Sequence, residues 1–137
     1  MTQINAYLSF GGNCREAMTF YQNCFGGELD LKTFEEAPGD MMQGASKDQI
    51  MHARLSNGGL LLMASDGLQE IPVKGNVINL NINCSSEKEI NGFFEKLSEG
   101  GNVTMPLADQ FWGARFGMLI DKFGIAWMLN WEKGGVD

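Results

Sequence analysis

Short runs of alternating hydrophobic and polar residues recur along the first half of the chain and frame one helical pattern. The run from Ala6 to Phe10 alternates and predicts a strand. Asn13, followed by Glu16, is the spacing of a capping box and predicts the start of a helix, and Glu28 to Phe34 predicts a second strand. The residues expected to form the apolar face of this helix and to end it are Ala17, Phe20, Tyr21, Cys24, Gly26 and Gly27.

The same order of signals returns in the second half. Val77 to Cys84 alternates apolar residues with asparagine and predicts a strand, and Ser86 with Glu89 repeats the capping box. Phe94, Gly100 and Gly101 follow Phe20, Gly26 and Gly27 at one constant distance along the chain, which indicates an internal repeat. The predicted apolar face of the second helix comprises Phe93, Phe94 and Leu97.

Each half closes with a predicted hairpin. The matching residues of the two hairpins are separated by a shorter sequence offset than those of the helices: Leu55, Gly59 and Met63 correspond to Ile120, Gly124 and Met128. A polar loop from Glu35 to Asp48, present in the first half, accounts for the difference between the two offsets. Each half therefore predicts strand, helix and three more strands. We expect an α+β fold of one domain over residues 1–137, made of two βαβββ modules at about 1–66 and 74–133, with about eight strands in total. The faces of such sheets need covering, either within one chain around a cleft or by a second chain.

Composition narrows the classes of function. The 137 residues are 44% hydrophobic, enough for one core, and the net charge of −7 argues against a surface that neutralises nucleic acid phosphates. No apolar run suggests a membrane span or signal peptide, so we expect a cytoplasmic protein. Three cysteines without a C-x-x-C pair indicate reduced thiols, and the single histidine, His52, excludes a multi-histidine site within one chain.

The densest chemical signal lies between Asp109 and Glu132, which holds all three tryptophans. Its aromatic residues fit core packing, but Gly113 beside Trp112 and Arg115 leaves room for a ligand, and a guanidinium can bind a carboxylate or phosphate. The candidate ligand-binding residues are Phe10, Arg54, Phe111, Trp112, Arg115 and Trp127.

Three stretches, AYLSFGGNCREAMTFYQNCFGGEL, MHARLSNGGLLLMASD and QFWGARFGMLIDKFGIAWMLN, carry a family resemblance. In order and spacing the chain resembles the PhnB-like branch of the vicinal oxygen chelate superfamily, which includes glyoxalase I and bleomycin resistance proteins. This resemblance implies paired βαβββ modules in a curved, mixed, glyoxalase-like sheet with an internal cleft, usually in a homodimer. Members of this branch are sometimes labelled demethylubiquinone methyltransferases, but no Gly-rich turn suited to a methyl-donor nucleotide is evident.

Catalytic members of the superfamily hold a divalent metal with His, Glu or Gln side chains from the first and last strands of the modules. No imidazole or carboxylate occurs at the corresponding strand positions of this chain, and Met128 stands where the carboxylate ligand is required. We therefore predict no metal site and no cofactor. These strand positions are Ala6, Leu8, Phe10, Val77, Ile78, Leu80, Ile82, Ala126, Met128 and Asn130.

His52 is the remaining candidate for acid or base chemistry. Alternation places it on one strand face with Arg54 and opposite Met51, Ala53 and Leu55. The favoured hypothesis is a homodimeric protein that binds a small anionic or aromatic metabolite without a metal. The alternatives are a lyase, isomerase or transferase that uses His52 and arginine residues, with or without a metal, and a dimeric structural or regulatory partner with a vestigial cleft.

Overall fold

The alternating runs form the strands of two separate four-stranded sheets. A computed structural model of the chain describes residues 3–36, 48–66 and 78–133. Its internal contacts divide the chain into unit 1, Met1–Val73, and unit 2, Lys74–Asp137, each with its own sheet and helix. Val77, predicted to begin a strand, lies outside the described residues, as does most of the predicted polar loop.

Unit 1 has a mixed sheet in the order β1-β4-β3-β2, in which β1 runs parallel to β4 and the other neighbours are antiparallel. A short 3-10 turn, Phe34–Glu36, follows its second strand. Its elements are β1 (Ala6–Ser9), α1 (Cys14–Phe25), β2 (Glu28–Thr33), β3 (Ile50–Asn57) and β4 (Leu60–Ser65).

Unit 2 repeats this topology in the order β5-β8-β7-β6, again with its first and last strands parallel. The predicted α+β class and the βαβββ repeat are confirmed. In the described part of the chain, no helix is both long and apolar enough to cross a membrane. The elements of unit 2 are β5 (Leu80–Asn83), α2 (Glu87–Ser98), β6 (Asn102–Asp109), β7 (Ala114–Ile120) and β8 (Ala126–Glu132).

Each helix packs on one face of its own sheet and buries an apolar layer there. In unit 1, Ala53 opposite Ala64 and Leu55 opposite Leu62 form this layer, and all four are buried. Helix α1 turns Met18 and Tyr21 towards the core and leaves Phe20 only half-buried, so its buried face is rotated from the predicted one. In unit 2 the corresponding residues are Leu119, Trp127, Leu129, Ile90, Phe94 and Leu97.

The two helices begin differently. At α2, Ser86 Oγ accepts a hydrogen bond of 3.1 Å from the Glu89 N–H, as predicted, while Glu89 Oε1 accepts from the N–H of Ser85 rather than Ser86. At α1, Asn13 takes the N-cap position as predicted, but the capping box is wrong, because the Asn13 side chain makes no capping hydrogen bond. Asp66 Oδ1 accepts from the N–H groups of Gly12 and Cys14 instead, each at 2.9 Å.

Asp66 replaces the expected cap because β4 ends beside the start of α1. Its second oxygen, Oδ2, accepts from the Ile50 N–H at 2.9 Å, and the residue is only 6% exposed. A carboxylate at the positive end of a helix is a stronger acceptor than an amide. One side chain therefore joins the start of α1, the start of β3 and the end of β4.

Two glycines explain why each half needs a Gly pair after its helix. A Cβ on Gly27 would lie 2.3 Å from the Ser56 carbonyl oxygen, and a Cβ on Gly101 would lie 2.4 Å from that of Ile120. Gly26 and Gly100, the first glycines of the two pairs, have φ angles of 73° and 75°, which glycine adopts readily. In each pair the first glycine therefore lets the chain leave the helix, and the second lets the backbone lie close to a neighbouring strand.

We predict that Asp66→Asn destabilises the protein by about 2 to 3 kcal/mol, because a buried charged acceptor of three N–H groups is lost. Asn13→Ala should change the free energy of unfolding by no more than about 0.5 kcal/mol, since no side-chain cap is lost. Urea unfolding of both variants checks this difference. Equal losses would contradict the assignment of the cap to Asp66.

Candidate functional site

In each unit, strand alternation directs a second set of side chains to the face opposite the helix, which we call the open face. In unit 1 this set follows from the pairing of Arg54 with Asp30 and Met63, and of Met63 with Tyr7. It is the face on which His52 and Arg54 were predicted to lie together. The open face of unit 1 comprises Tyr7, Ser9, Glu28, Asp30, Lys32, His52, Arg54, Ser56, Leu61, Met63 and Ser65.

His52 lies among polar and cationic neighbours on this face. Its ring centroid is 6.1 Å from that of Tyr7, with the rings tilted by 37°, and Lys32 is its cross-strand partner. Lys32 Nζ is 3.9 Å from Asp30 Oδ2, but both side chains are exposed, so this ion pair is weak. The imidazole, phenol and two cationic groups could together bind a small anion or move a proton.

The open face of unit 2 has a different chemistry, made of thioethers, amides and one aromatic ring. Met105 pairs with Met118, Met118 with Met128 and Met128 with Asn81, which forms one row across four strands. A second row runs through Ala108, Phe116, Asn130 and Asn83. These two rows form the middle of the open face of unit 2, which continues through Asn102, Ile120 and Ala126 on one side and through Ala114 and Glu132 on the other.

Two large aromatic side chains extend this face at the turn between β6 and β7. Phe111 is 97% exposed and Trp112 is 58% exposed. Their rings meet edge to face at 5.1 Å, and the Trp112 ring lies 6.5 Å from that of Phe116. We call residues 110–113 the aromatic turn. Sequence reasoning selected both Phe111 and Trp112.

Backbone hydrogen bonds fix the aromatic turn at both ends. The Gln110 N–H donates to the Ala114 carbonyl at 2.7 Å, and the Gly113 N–H donates to the Gln110 carbonyl at 3.1 Å. The Lys133 N–H also donates to the Gly113 carbonyl at 3.0 Å, which ties the turn to the end of β8. The exposed rings of Phe111 and Trp112 therefore extend from a backbone that is held by three hydrogen bonds.

An ion-pair network lies behind this turn and uses the predicted ligand residue Arg115. Asp109 accepts from Arg115 Nη1 at 3.2 Å and from Lys133 Nζ at 2.9 Å. Arg115 Nε donates to Asn91 Oδ1 of α2 at 2.9 Å, so this guanidinium lies on the helix side of the sheet. Trp112, next to it in the predicted pair, instead neighbours Phe116 on the open face.

Two other predicted ligand residues lie in the cores of their units. Trp127 is 2% exposed, and its indole N–H donates to Asp121 Oδ2 at 2.8 Å. Phe10 is buried, and its backbone N–H donates to the Ser65 carbonyl at 2.9 Å. Only Arg54, Phe111 and Trp112 of the six candidates lie on or beside an open face.

Sequence reasoning missed Asn81 and Asn83 of unit 2 and considered Asn130 only as a position for a metal ligand. Asn83 Oδ1 accepts from Asn81 Nδ2 at 3.1 Å and, at a longer 3.5 Å, from Asn130 Nδ2. The sequence prediction considered Leu80 and Ile82 instead, but their partners Trp127 and Leu129 place them on the helix face. Alternation in the run LNIN was the signal that could have identified Asn81 and Asn83.

The same correction applies to β1. Ala6 pairs with Leu62 and Leu8 with Ala64, so both point towards the helix layer, while Tyr7 and Ser9 reach the open face. Among residues 3–36, 48–66 and 78–133, no three His, Cys, Asp or Glu side chains are grouped as a metal site would require.

The buried cysteines are poor nucleophiles. Burial, with the Asp66 charge adding to it, raises the pKa of Cys14 to about 12. Burial and the Glu89 charge raise the pKa of Cys84 to about 12 as well. Both thiols therefore remain protonated near neutral pH, where the thiolate is the reactive form.

Comparison with known proteins gives consistent matches along nearly the whole chain. The model of a family described as 3-demethylubiquinone-9 3-methyltransferase matches residues 2–130. Protein YjdN of Escherichia coli K12 is 31% identical over 95% of both chains.

Solved structures match as well. PA1353 of Pseudomonas aeruginosa is 43% identical, with a TM-score of 0.82 over 97% of this chain and 99% of that one. A Bacillus cereus PhnB protein is 27% identical, with a TM-score of 0.76 over 95% and 99%. A glyoxalase/bleomycin resistance protein/dioxygenase from Alicyclobacillus acidocaldarius, 16% identical with a TM-score of 0.55 over 95% and 92%, shows the fold alone.

We predict that strong acid breaks the ion pairs of Asp109 behind the aromatic turn and so changes the surroundings of Trp112. Hydrogen bonds from Lys133 and Arg115 lower the pKa of Asp109, so its ion pairs persist through the pH range in which a free aspartate titrates and are lost only as the pH falls through the lowered value. Trp112 fluorescence, with Trp112→Phe as the blank for the other tryptophans, should report this transition. Asp109→Asn should remove it, whereas an unchanged transition in this variant would assign it to another group.

Proposed function

Because the chain belongs to the PhnB-like family of the vicinal oxygen chelate superfamily, we propose that it binds a small aromatic or anionic metabolite without the superfamily's divalent metal. The observation that carries the proposal is the aromatic turn of unit 2. Phe111 and Trp112 hold large apolar surfaces in solvent beside Phe116. Exposed aromatic clusters of this kind typically mark binding surfaces.

The open face of unit 2 suits a planar ligand with a polar edge. Trp112 and Phe116 offer ring contacts, and Met118 and Met128 provide an adaptable apolar floor. The amides of Asn83 and Asn130 supply donors and acceptors in the same row as Phe116. In this proposal Arg115 and Trp127 support the frame, and the rings of the aromatic turn contact the ligand.

The open face of unit 1 supports the anionic alternative. Lys32, His52 and Arg54 occupy neighbouring positions on β2 and β3, with the carboxylates of Glu28 and Asp30 on the same face. Lys32 and Arg54 offer cationic contacts to an anion on a protein whose net charge is −7. His52 beside Tyr7 is also the observation that favours the second candidate function, an isomerase, lyase or transferase in which the imidazole moves a proton.

Binding without a divalent metal is supported by the donors available on β1, β4, β5 and β8, the first and last strands of the two units. Hard divalent cations prefer carboxylates, and zinc prefers imidazole or thiolate. Glu132, at the end of β8, is the one open-face residue of these described strands with such a group, and no metal-binding cluster forms around it among the described residues. The other open-face residues of these strands are Tyr7, Ser9, Leu61, Met63, Ser65, Asn81, Asn83, Ala126, Met128 and Asn130.

We do not extend the family's methyltransferase description to this chain. An N–H group at each helix start is already bound by a side chain of the protein itself, since Asp66 accepts from the Cys14 N–H at α1 and Ser86 Oγ accepts from the Glu89 N–H at α2. These N–H groups are the ones that would otherwise receive an anionic group of a cofactor. Their occupation favours ligand binding over cofactor-dependent methyl transfer.

We predict that Trp112→Ala lowers the affinity for 1-naphthol, an uncharged aromatic probe, by about tenfold, because one ring contact is worth up to about 1.5 kcal/mol. Isothermal titration of both proteins measures the change. Val103→Ala, which truncates an exposed apolar side chain on the helix side of the sheet of unit 2, is the matched control and should bind as the native protein does. Equal affinity in Trp112→Ala and native protein would remove the aromatic turn from the site.

For the anionic alternative, we predict that His52→Asn and Arg54→Gln each weaken the binding of 1-naphthalenesulfonate, because the first removes the imidazole and the second removes a cationic charge from the open face of unit 1. The binding of 1-naphthol, the uncharged comparison, should stay as in the native protein. Titrations of both probes at matched ionic strength check the two effects. A native sulfonate affinity in His52→Asn would exclude His52 from binding.

A further inference from the structure

Three methionines stand side by side on the open face of unit 2. Met105 of β6 is the direct partner of Met118 of β7, which is in turn the direct partner of Met128 of β8. Directly paired residues on neighbouring strands project to the same side of a sheet. Leu119 and Trp127, the chain neighbours of Met118 and Met128, are buried on the helix side, so the row of thioethers faces the other way.

We infer that this row is a binding site for a soft monovalent cation, Cu(I) in the cell and Ag(I) as its redox-inert analogue. The proposed ion site shares Met118 and Met128 with the floor of the proposed metabolite site, but its argument uses the thioethers alone and holds whether or not a metabolite binds. It also differs from the divalent site of the superfamily, which needs nitrogen or oxygen donors. Thioether sulfur is a soft, neutral donor that prefers Cu(I) to hard cations such as magnesium and calcium.

The spacing of the row is compatible with one shared ion. Cβ atoms of directly opposed residues lie about 4.5–5.5 Å apart. A metal–sulfur bond is about 2.3 Å long, so two sulfurs on one ion are separated by roughly 4 Å. Met118 stands in the middle, and Met105 and Met128 need only lean towards it. The unbranched methionine side chain, with three rotatable bonds, permits this movement.

The solvent exposure of the three methionines and the burial of the cysteines also favour ion binding by the row. Met105 is 42% exposed, and Met118 and Met128 are half-buried, so an ion can reach the sulfurs from solvent. Thiols are the main competitors for a soft cation, but Cys14, Cys24 and Cys84 are all buried in the cores. A thioether needs no deprotonation, so its affinity for the ion does not require the loss of a proton.

The test uses the full chain labelled with methyl-¹³C methionine and observed by two-dimensional NMR during addition of Ag(I). The methyl signals of Met105, Met118 and Met128, assigned by single Met→Leu substitutions, should move together and saturate at one equivalent. Met63, on the open face of unit 1, should not follow them. Zn(II) and Mn(II) should leave all these signals in place, and Cu(I) added without oxygen should reproduce the silver shifts.

Met118→Leu is the decisive variant, because it removes the central sulfur while conserving volume, a change that cores usually tolerate. It should lower Ag(I) affinity at least about tenfold and uncouple the shifts of Met105 and Met128, while Met63→Leu leaves them coupled. Silver that binds only to cysteine would leave the three methyl signals unmoved and would overturn the inference. Shifts that appear only at large excess, or that survive Met118→Leu, would overturn it too.

Discussion

The carboxylate of Asp66 joins the parts of unit 1 that the sheet ladder leaves separate. Helix α1 begins with N–H groups that have no partner inside the helix, and β3 begins with another at Ile50. Asp121 of unit 2 also accepts three hydrogen bonds, but from donors of the turn between β7 and β8 and the strand after it: the N–H groups of Phe123 and Ile125 and the Trp127 indole. Each unit therefore depends on one buried acid that satisfies three donors.

The side chains on the helix face of each sheet pack in the core, so the side chains that can contact a ligand lie on the opposite face. The residue types on this face differ between the two units. Unit 1 presents imidazole, phenol and cationic groups around His52, whereas unit 2 presents rings, amides and thioethers around Phe116 and Met118. A duplicated frame has thus acquired two surfaces of distinct chemistry.

Local patterns predicted the elements well, because alternation, helix spacing and turn glycines act within a few residues of one another. The Ser86 cap is such a local feature, while the cap of α1 comes from Asp66, 52 residues beyond Cys14, and no local pattern reveals it. The run AWMLNW around Trp127 has too few polar residues to show which side chains face the core. Arg115 and Trp112 are neighbours in sequence, but the chain reverses between them. The internal cleft and the homodimer stay predictions.

In both units the first strand pairs with the last, since β1 lies beside β4 and β5 beside β8. During synthesis on the ribosome, β1 consequently has no partner strand until the chain has been made as far as Ser65. The helix and two other strands are synthesised before β1 can pair. Non-local pairing of this kind slows folding, but it also makes completion of the sheet coincide with completion of the repeat. A half-made unit lacks its closing strand, so nascent chains should mature in two discrete steps, one for each repeat.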